Sequence, residues 1–166
     1  MSPAMIFNIH LALGYVPWLL CFGTYGWPRL KAMDAIEAQR LIATLHSFRF
    51  FGLVFILPGV VGAGLPHDFA QFAAYGDFAT GLLAIAALLA VRVRALFWAL
   101  IAAFNLVGAV DILVDYFHGV MIDLPSRSGA LGAAYAIVII YVPLLMITHI
   151  AALALLVRHR SGRSGE

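Results

Sequence analysis

Several ionisable residues stand inside long apolar stretches of this chain: His10, His46, Arg49, Asp77, Asp111 and His149, with Asn105 as a neutral hydrogen-bonding companion. A charge placed in hydrocarbon costs about 2.5 to 3.5 kcal/mol on insertion scales, so such groups need partners and mark ion pathways or binding sites. At 1.5 Å of rise per helical residue, Asp77 falls roughly 13 Å and Asp111 roughly 9 Å below the outer ends of their spans, with His10 at a similar depth. These three are expected to form an acidic cluster in the outer half. His46 and Arg49 fall in the first two turns of another span, and His149 lies roughly 12 Å from the inner end of the last one. That set suits an anion or a proton relay. Acidic groups outside and basic groups inside, with Asn105 between, describe a polar path for a small solute or for protons. The competing reading is that Asp77, Asp111 and Arg49 only tie helices together.

Two cofactor readings stand beside this one. Asp111, Asp115 and His118 follow each other at i, i+4 and i+7, one helical face, and with His10 and Asp77 they offer oxygen and nitrogen ligands to a divalent metal. No established ligand motif such as H-E-x-x-H accompanies them. His46 and His149, on two different spans, are the pair that would hold a haem b. Cys21 is the single cysteine, so neither an intrachain disulfide nor a cysteine zinc site can form; it is expected to be a small buried apolar residue. No pattern assigns a catalytic residue, and an enzyme ranks behind a binding or transport protein.

The elements that must position these groups follow from composition. Of 166 residues, 64% are apolar and 11% charged, and the mean hydropathy is +1.00. A soluble domain is about half apolar and a quarter charged. The chain therefore reads as one all-α, polytopic membrane bundle over residues 1–166, with the lipid bilayer as its first partner. Five spans are expected, at about 5–27, 43–64, 68–91, 95–117 and 131–157, followed by a short basic tail, 158–166, whose last seven residues look disordered. The first is too long for a signal-peptide core and no basic residue precedes it. Gly64-Leu65-Pro66 closes the second, and Asp68 with Gln71 forms a capping box for the third. Pro17, Pro58 and Pro143 fall inside spans, and the small-residue runs Gly59 to Gly64 and Gly76 to Gly81 favour close helix contact.

Charge gives the direction. With the N-terminus outside and the C-terminus cytoplasmic, Arg29, Lys31, Arg40, Arg92, Arg94, Arg158, Arg160 and Arg163 are all cytoplasmic, eight of ten basic residues, while only Arg127 lies in an outer connection. The basic excess is thus explained by orientation and lipid head groups, and nucleic acid binding is not expected. The stretch from Leu30 to Leu45 reads as a short interfacial helix or a cytoplasmic extension of the second span. Trp27, Tyr116 and Phe117 stand where aromatic residues anchor helices at the interface.

The run Arg49-Phe-Phe-Gly52-Leu-Val-Phe55-Ile-Leu-Pro-Gly59, then Ala74-Tyr-Gly-Asp77, then Gly81 to Leu89 with Arg92 and Arg94 behind it, resembles small bacterial DoxX-like membrane proteins. Their pattern opens one helix with Arg-x-x-Gly-Leu and places an acid early in the next. Here the acid is aspartate where that family usually carries glutamate, and a fifth span is expected where four are typical. The resemblance implies a bacterial inner-membrane protein attached to quinone-linked or oxidative-stress redox systems. Three functions follow in order: a small solute or proton transporter, as a homo-oligomer or with a membrane partner protein; an accessory subunit of a redox system; and a haem or metal enzyme.

Overall fold

A computed structural model describes the backbone of residues 1–163 and the side chains of residues 1–159. Every regular element among them is helical. Helix α1, Pro3–Cys21, starts on Ser2, whose hydroxyl accepts from the amide of Met5 at 3.2 Å. It passes through a π-helical stretch, Phe22–Gly26, into α2, Trp27–Ala32. Helix α3, Ala35–His46, is capped by Asp34, which accepts from the amide of Ile36 at 2.8 Å, and it continues without a break into a 3-10 helix, Ser47–Ile56. Helices α4, His67–Leu89, and α5, Arg94–Met121, follow. A 3-10 stretch, Ser128–Ala134, and a π-helical one, Ile137–Tyr141, lead into α6, Val142–Arg163.

Four helical runs are long and apolar enough to cross a membrane: Pro3–Ala32, His67–Leu89, Arg94–Met121 and Ile137–His159. Exposed Leu13, Leu20, Leu106, Leu113, Phe117 and Ile150 cover their outer faces, a surface suited to lipid and not to water. The segment expected as the second span differs from that expectation. It begins at Ala35, eight residues earlier than the sequence suggested, so residues 35–42 and the segment after them form one continuous helical run. It stops being helical at Ile56, because Pro58 and the positive φ of Gly59 (82°) turn the chain there. Pro58 is therefore a turn residue and not a helix kink. Helix α4 has Pro66 at its N-cap and no side-chain cap, so the Asp68–Gln71 capping box does not form. Cys21 is exposed on α1 instead of buried. Helix α6 runs through Arg163, and residues 164–166 of the expected tail lie outside the described residues.

At one end of the bundle the connections 57–66 and 122–134 meet: the amide of Gly62 donates to the carbonyl of Ala130 at 2.8 Å and that of Ala133 to Val60 at 3.2 Å. At the other, basic end lie Arg29, Lys31, Arg92 and Arg94. Two apolar clusters fill the interior. One, near the connections, gathers Phe55, Phe69, Ala73 and Leu131. The other, toward the basic end, gathers Ile42, Ala84, Phe97, Phe104 and Ala152. Between them lies a polar layer, Arg49, Asp77, Thr80, Asn105, Asp111, Thr148 and His149, with His46 beside it, all buried. Helix α1 is the loosest wall. Phe7 is its one buried residue, and the α1 to α5 link is a hydroxyl pair, Tyr15 with Tyr116 at 2.6 Å.

Candidate functional site

The 3-10 geometry decides where Arg49 points. With three residues per turn, side chains at i, i+3 and i+6 eclipse, and Arg49, Gly52 and Phe55 are the buried residues of Ser47–Ile56, while Phe48, Phe50 and Phe51 face out. Arg49 is 1% exposed and holds the centre of the polar layer. Its Nε donates to Asp77 Oδ1 at 2.6 Å, and Nη2 donates to Asp111 Oδ2 at 2.5 Å and lies 2.6 Å from Asp77 Oδ1. Its Nη1 donates to the carbonyl of Gly108 at 3.3 Å and to His149 Nε2 at 3.2 Å. One guanidinium thus ties the 3-10 helix to α4, α5 and α6.

Donor and acceptor roles propagate from there. A guanidinium only donates, so His149 Nε2 accepts and its Nδ1 carries the proton, donated to Asn105 Oδ1 at 3.0 Å. The Asn105 amide nitrogen in turn donates to the Ile101 carbonyl at 2.9 Å. Thr148 donates its single hydroxyl proton to the α6 backbone, at 2.8 Å from Leu144, and therefore accepts from His46 Nε2 at 2.9 Å. This leaves His46 Nδ1 without a partner among the described residues; Asp111 Oδ1 and Asp115 Oδ1 share that condition. A chain of polar groups runs Asp111, Arg49, His149, Asn105, with the His46 ring 4.0 Å from that of His149.

Glycines make the room. A Cβ built on Gly52 would overlap the Asp77 carboxylate, one on Gly76 the Asp111 carboxylate, and one on Gly108 the His149 ring and the Arg49 guanidinium. Gly81 instead lets the backbone of α4 approach Phe50, with an added Cβ 3.1 Å from its amide nitrogen. Beside the network, toward the connections, lies a cavity of about 160 Å³ lined by residues of α1, the 3-10 helix, α4, α5 and α6, among them Asn8, Arg49, Phe55, Asp77, Asp115 and Tyr116.

A family model described as a domain of unknown function, DUF8737, matches residues 6–157, nearly the full chain. The chain belongs to the DUF8737 family. No curated protein and no solved structure matches it. In this DUF8737 chain the residues singled out from sequence are partly reunited and partly dispersed. Asp77, Asp111, Arg49, His149 and Asn105 form one network and the His46 ring packs tilted against its edge, instead of separate acidic and basic halves. Arg49 thus points into the bundle, to two carboxylates. His10 stands apart, exposed, with Nδ1 2.8 Å from the Tyr135 hydroxyl. Asp111, Asp115 and His118 do not converge: Asp111 faces Arg49, while the His118 ring packs edge-on against Phe72 at 5.0 Å. Among the described residues no three His, Cys, Asp or Glu side chains are placed to hold a metal. The haem pairing fails for a different reason. With His46 and His149 rings 4.0 Å apart and His149 bonded through both nitrogens, no macrocycle fits between them. Tyr116 lines the cavity and bonds Tyr15, so it is more than an interfacial anchor. Gly52 and Gly108 were not marked as site residues. The three-residue period Arg49-x-x-Gly52-x-x-Phe55 was the signal for the first, and nothing local distinguished the second.

Proposed function

We propose that this DUF8737 protein binds a small solute or protons at the Arg49 network and passes them across a bacterial inner membrane. In this reading the chain crosses five times, with the N-terminus outside and the C-terminus in the cytoplasm. Two observations support the topology. The Ala35–Ile56 run extends from the level of Ala152, whose carbonyl accepts from Gln39 at 2.9 Å, to the connection end. Eight of ten basic residues fall on one side of such an arrangement. A homo-oligomer, or a complex with a membrane partner, suits a bundle that encloses little volume by itself.

The observation that carries the function is a single buried guanidinium shared by two carboxylates from two helices at the wall of a cavity. Fully ionised, Arg49, Asp77 and Asp111 carry one excess negative charge, and a buried charge without a counterpart is costly. A proton or a cationic solute offsets it, and its arrival or departure changes which carboxylate holds Arg49. The neutral chain through His149 and Asn105 extends the polar groups toward the basic end. The test is flux into proteoliposomes carrying a trapped pH dye, driven by an imposed potential. Wild type is expected to acidify the lumen faster than empty liposomes, with the rate lost in Asp77→Asn and Asp111→Asn. A wild-type rate equal to that of empty liposomes overturns the proton form of the reading.

A second reading is an accessory subunit of a quinone-linked or oxidative-stress redox system. It is favoured by the DoxX-like residues themselves, since Arg49, Gly52 and Asp77 meet in one contact. Copurification of a redox enzyme with the tagged protein from its native membrane supports that reading, and recovery of the protein alone opposes it.

A further inference from the structure

The cavity beside the network has a definite chemical character, and naming its occupant rests on the binding reading just given. Its walls are aromatic and aliphatic: Phe7, Phe55, Phe69 and Ile112 line it. Its volume of about 160 Å³ is close to that of an apolar protein cavity of about 150 Å³ that takes up benzene. The occupant is therefore a molecule built around one small ring or an equivalent aliphatic body.

The polar lining decides the charge of that molecule. Arg49 reaches the cavity, but its donors are already directed to Asp77, Asp111, the Gly108 carbonyl and His149, leaving little for an incoming anion. Asp115 is in the opposite state. It lines the cavity one helical turn beyond Asp111, no cation pairs with it, and its Oδ1 has no hydrogen-bond partner among the described residues. Asp77 adds a second carboxylate to the same lining. Asp77, Asp111 and Asp115 outnumber the one cation, Arg49, beside an aromatic space. Carboxylates beside aromatic faces recognise an ammonium group, by ion pairing and by cation–π attraction.

We propose that this cavity binds a small organic amine of single-ring size, its apolar body among Phe7, Phe55 and Phe69 and its ammonium on Asp115 and Asp77. Asp115 thereby becomes a specificity residue for the solute handled at the Arg49 network, a role separate from the ion pairs that join the helices.

Isothermal titration of the detergent-purified full chain tests this with benzylamine, benzyl alcohol and benzoate, three probes sharing one ring and differing in head group. Benzylamine is expected to bind with a stoichiometry near one, benzyl alcohol at least tenfold more weakly, and benzoate not at all. Asp115→Asn, which keeps shape and removes charge, should weaken benzylamine about tenfold and leave benzyl alcohol unchanged. Ala73→Leu, which fills the cavity from α4, should remove both. Benzoate binding as tightly as benzylamine overturns the proposal, as does benzylamine binding that neither substitution alters. The two claims separate cleanly. Amine binding with flux of neither protons nor amine sinks transport and keeps the amine site, whereas proton flux with no amine binding sinks the amine site and keeps transport.

Discussion

Replacing Arg49 by methionine is the perturbation that probes the polar layer most deeply. The side chain is 1% exposed, and its guanidinium makes close ion pairs, at 2.6 Å to Asp77 and 2.5 Å to Asp111. Methionine matches the length of the stem but leaves both carboxylates buried without a counter-charge, and it removes the donor to the Gly108 carbonyl and to His149. Breaking a buried pair by deleting one partner costs about 3 to 5 kcal/mol. For a chain of this size each kcal/mol moves the melting temperature by roughly 2 to 4 °C, so a fall of about 10 °C is expected in detergent, followed by intrinsic tryptophan fluorescence. The same physics predicts asymmetry. Replacing all charged members together removes the uncompensated charges as well as the pairs, which is often close to neutral. The triple variant Arg49→Met, Asp77→Asn, Asp111→Asn should accordingly recover most of the lost stability. An Arg49→Met protein melting within about 2 °C of wild type, or a triple variant less stable than the single one, refutes the view that these pairs are formed and desolvated.

Gly76→Ala should be destabilising by about 1 to 3 kcal/mol, as overpacking against the Asp111 carboxylate demands, whereas Gly129→Ala, with no atom within 4 Å of the new Cβ, should be silent in the same melting assay. Asp34→Ala removes the cap of α3 and is expected to cost about 1 kcal/mol of stability, read from the same curves. In a Cys21→Ser background, an impermeant maleimide should label Ser126→Cys on intact cells and Ser161→Cys only after the membrane is opened; the opposite pattern reverses the proposed orientation.

Much of this architecture was legible in the sequence because it follows from composition and period. The apolar excess pointed to helices long and apolar enough to cross a membrane, and the runs that became α4 and α5 were located within a few residues. Asp77, Asp111, Arg49 and His149 were singled out simply because charged or polar groups in such runs require partners. Their mutual contact stands in the sequence only as the competing reading, beside separate acidic and basic halves, and the reason is geometric. Depth had been counted at the α-helical rise from a start at residue 43. The run starts at Ala35, and Ser47, Phe48 and Arg49 itself lie in a 3-10 helix. At rises of 1.5 Å and about 2.0 Å per residue, Arg49 stands about 22 Å along that run, level with the aspartates instead of two turns from the end. Glycine patterns were read as helix contacts. Gly81 behaves so, but Gly76 makes space for a carboxylate and Gly59 turns a loop. A count along one helix does not say which way a side chain on a loosely packed helix faces, and His10 turns outward, to the Tyr135 hydroxyl.

The claim that the Arg49 network is a site of proton or solute binding, and not only a tie between helices, is tested most directly by pH-induced infrared difference spectroscopy of the protein in lipid, with Asp77→Asn and Asp111→Asn alongside. Binding at the network predicts a protonated-carboxyl band in wild type that changes with pH and is removed or shifted by each substitution. A carboxyl region that does not respond to pH, or responds identically in all three proteins, contradicts it and leaves Arg49, Asp77 and Asp111 as structural ties alone.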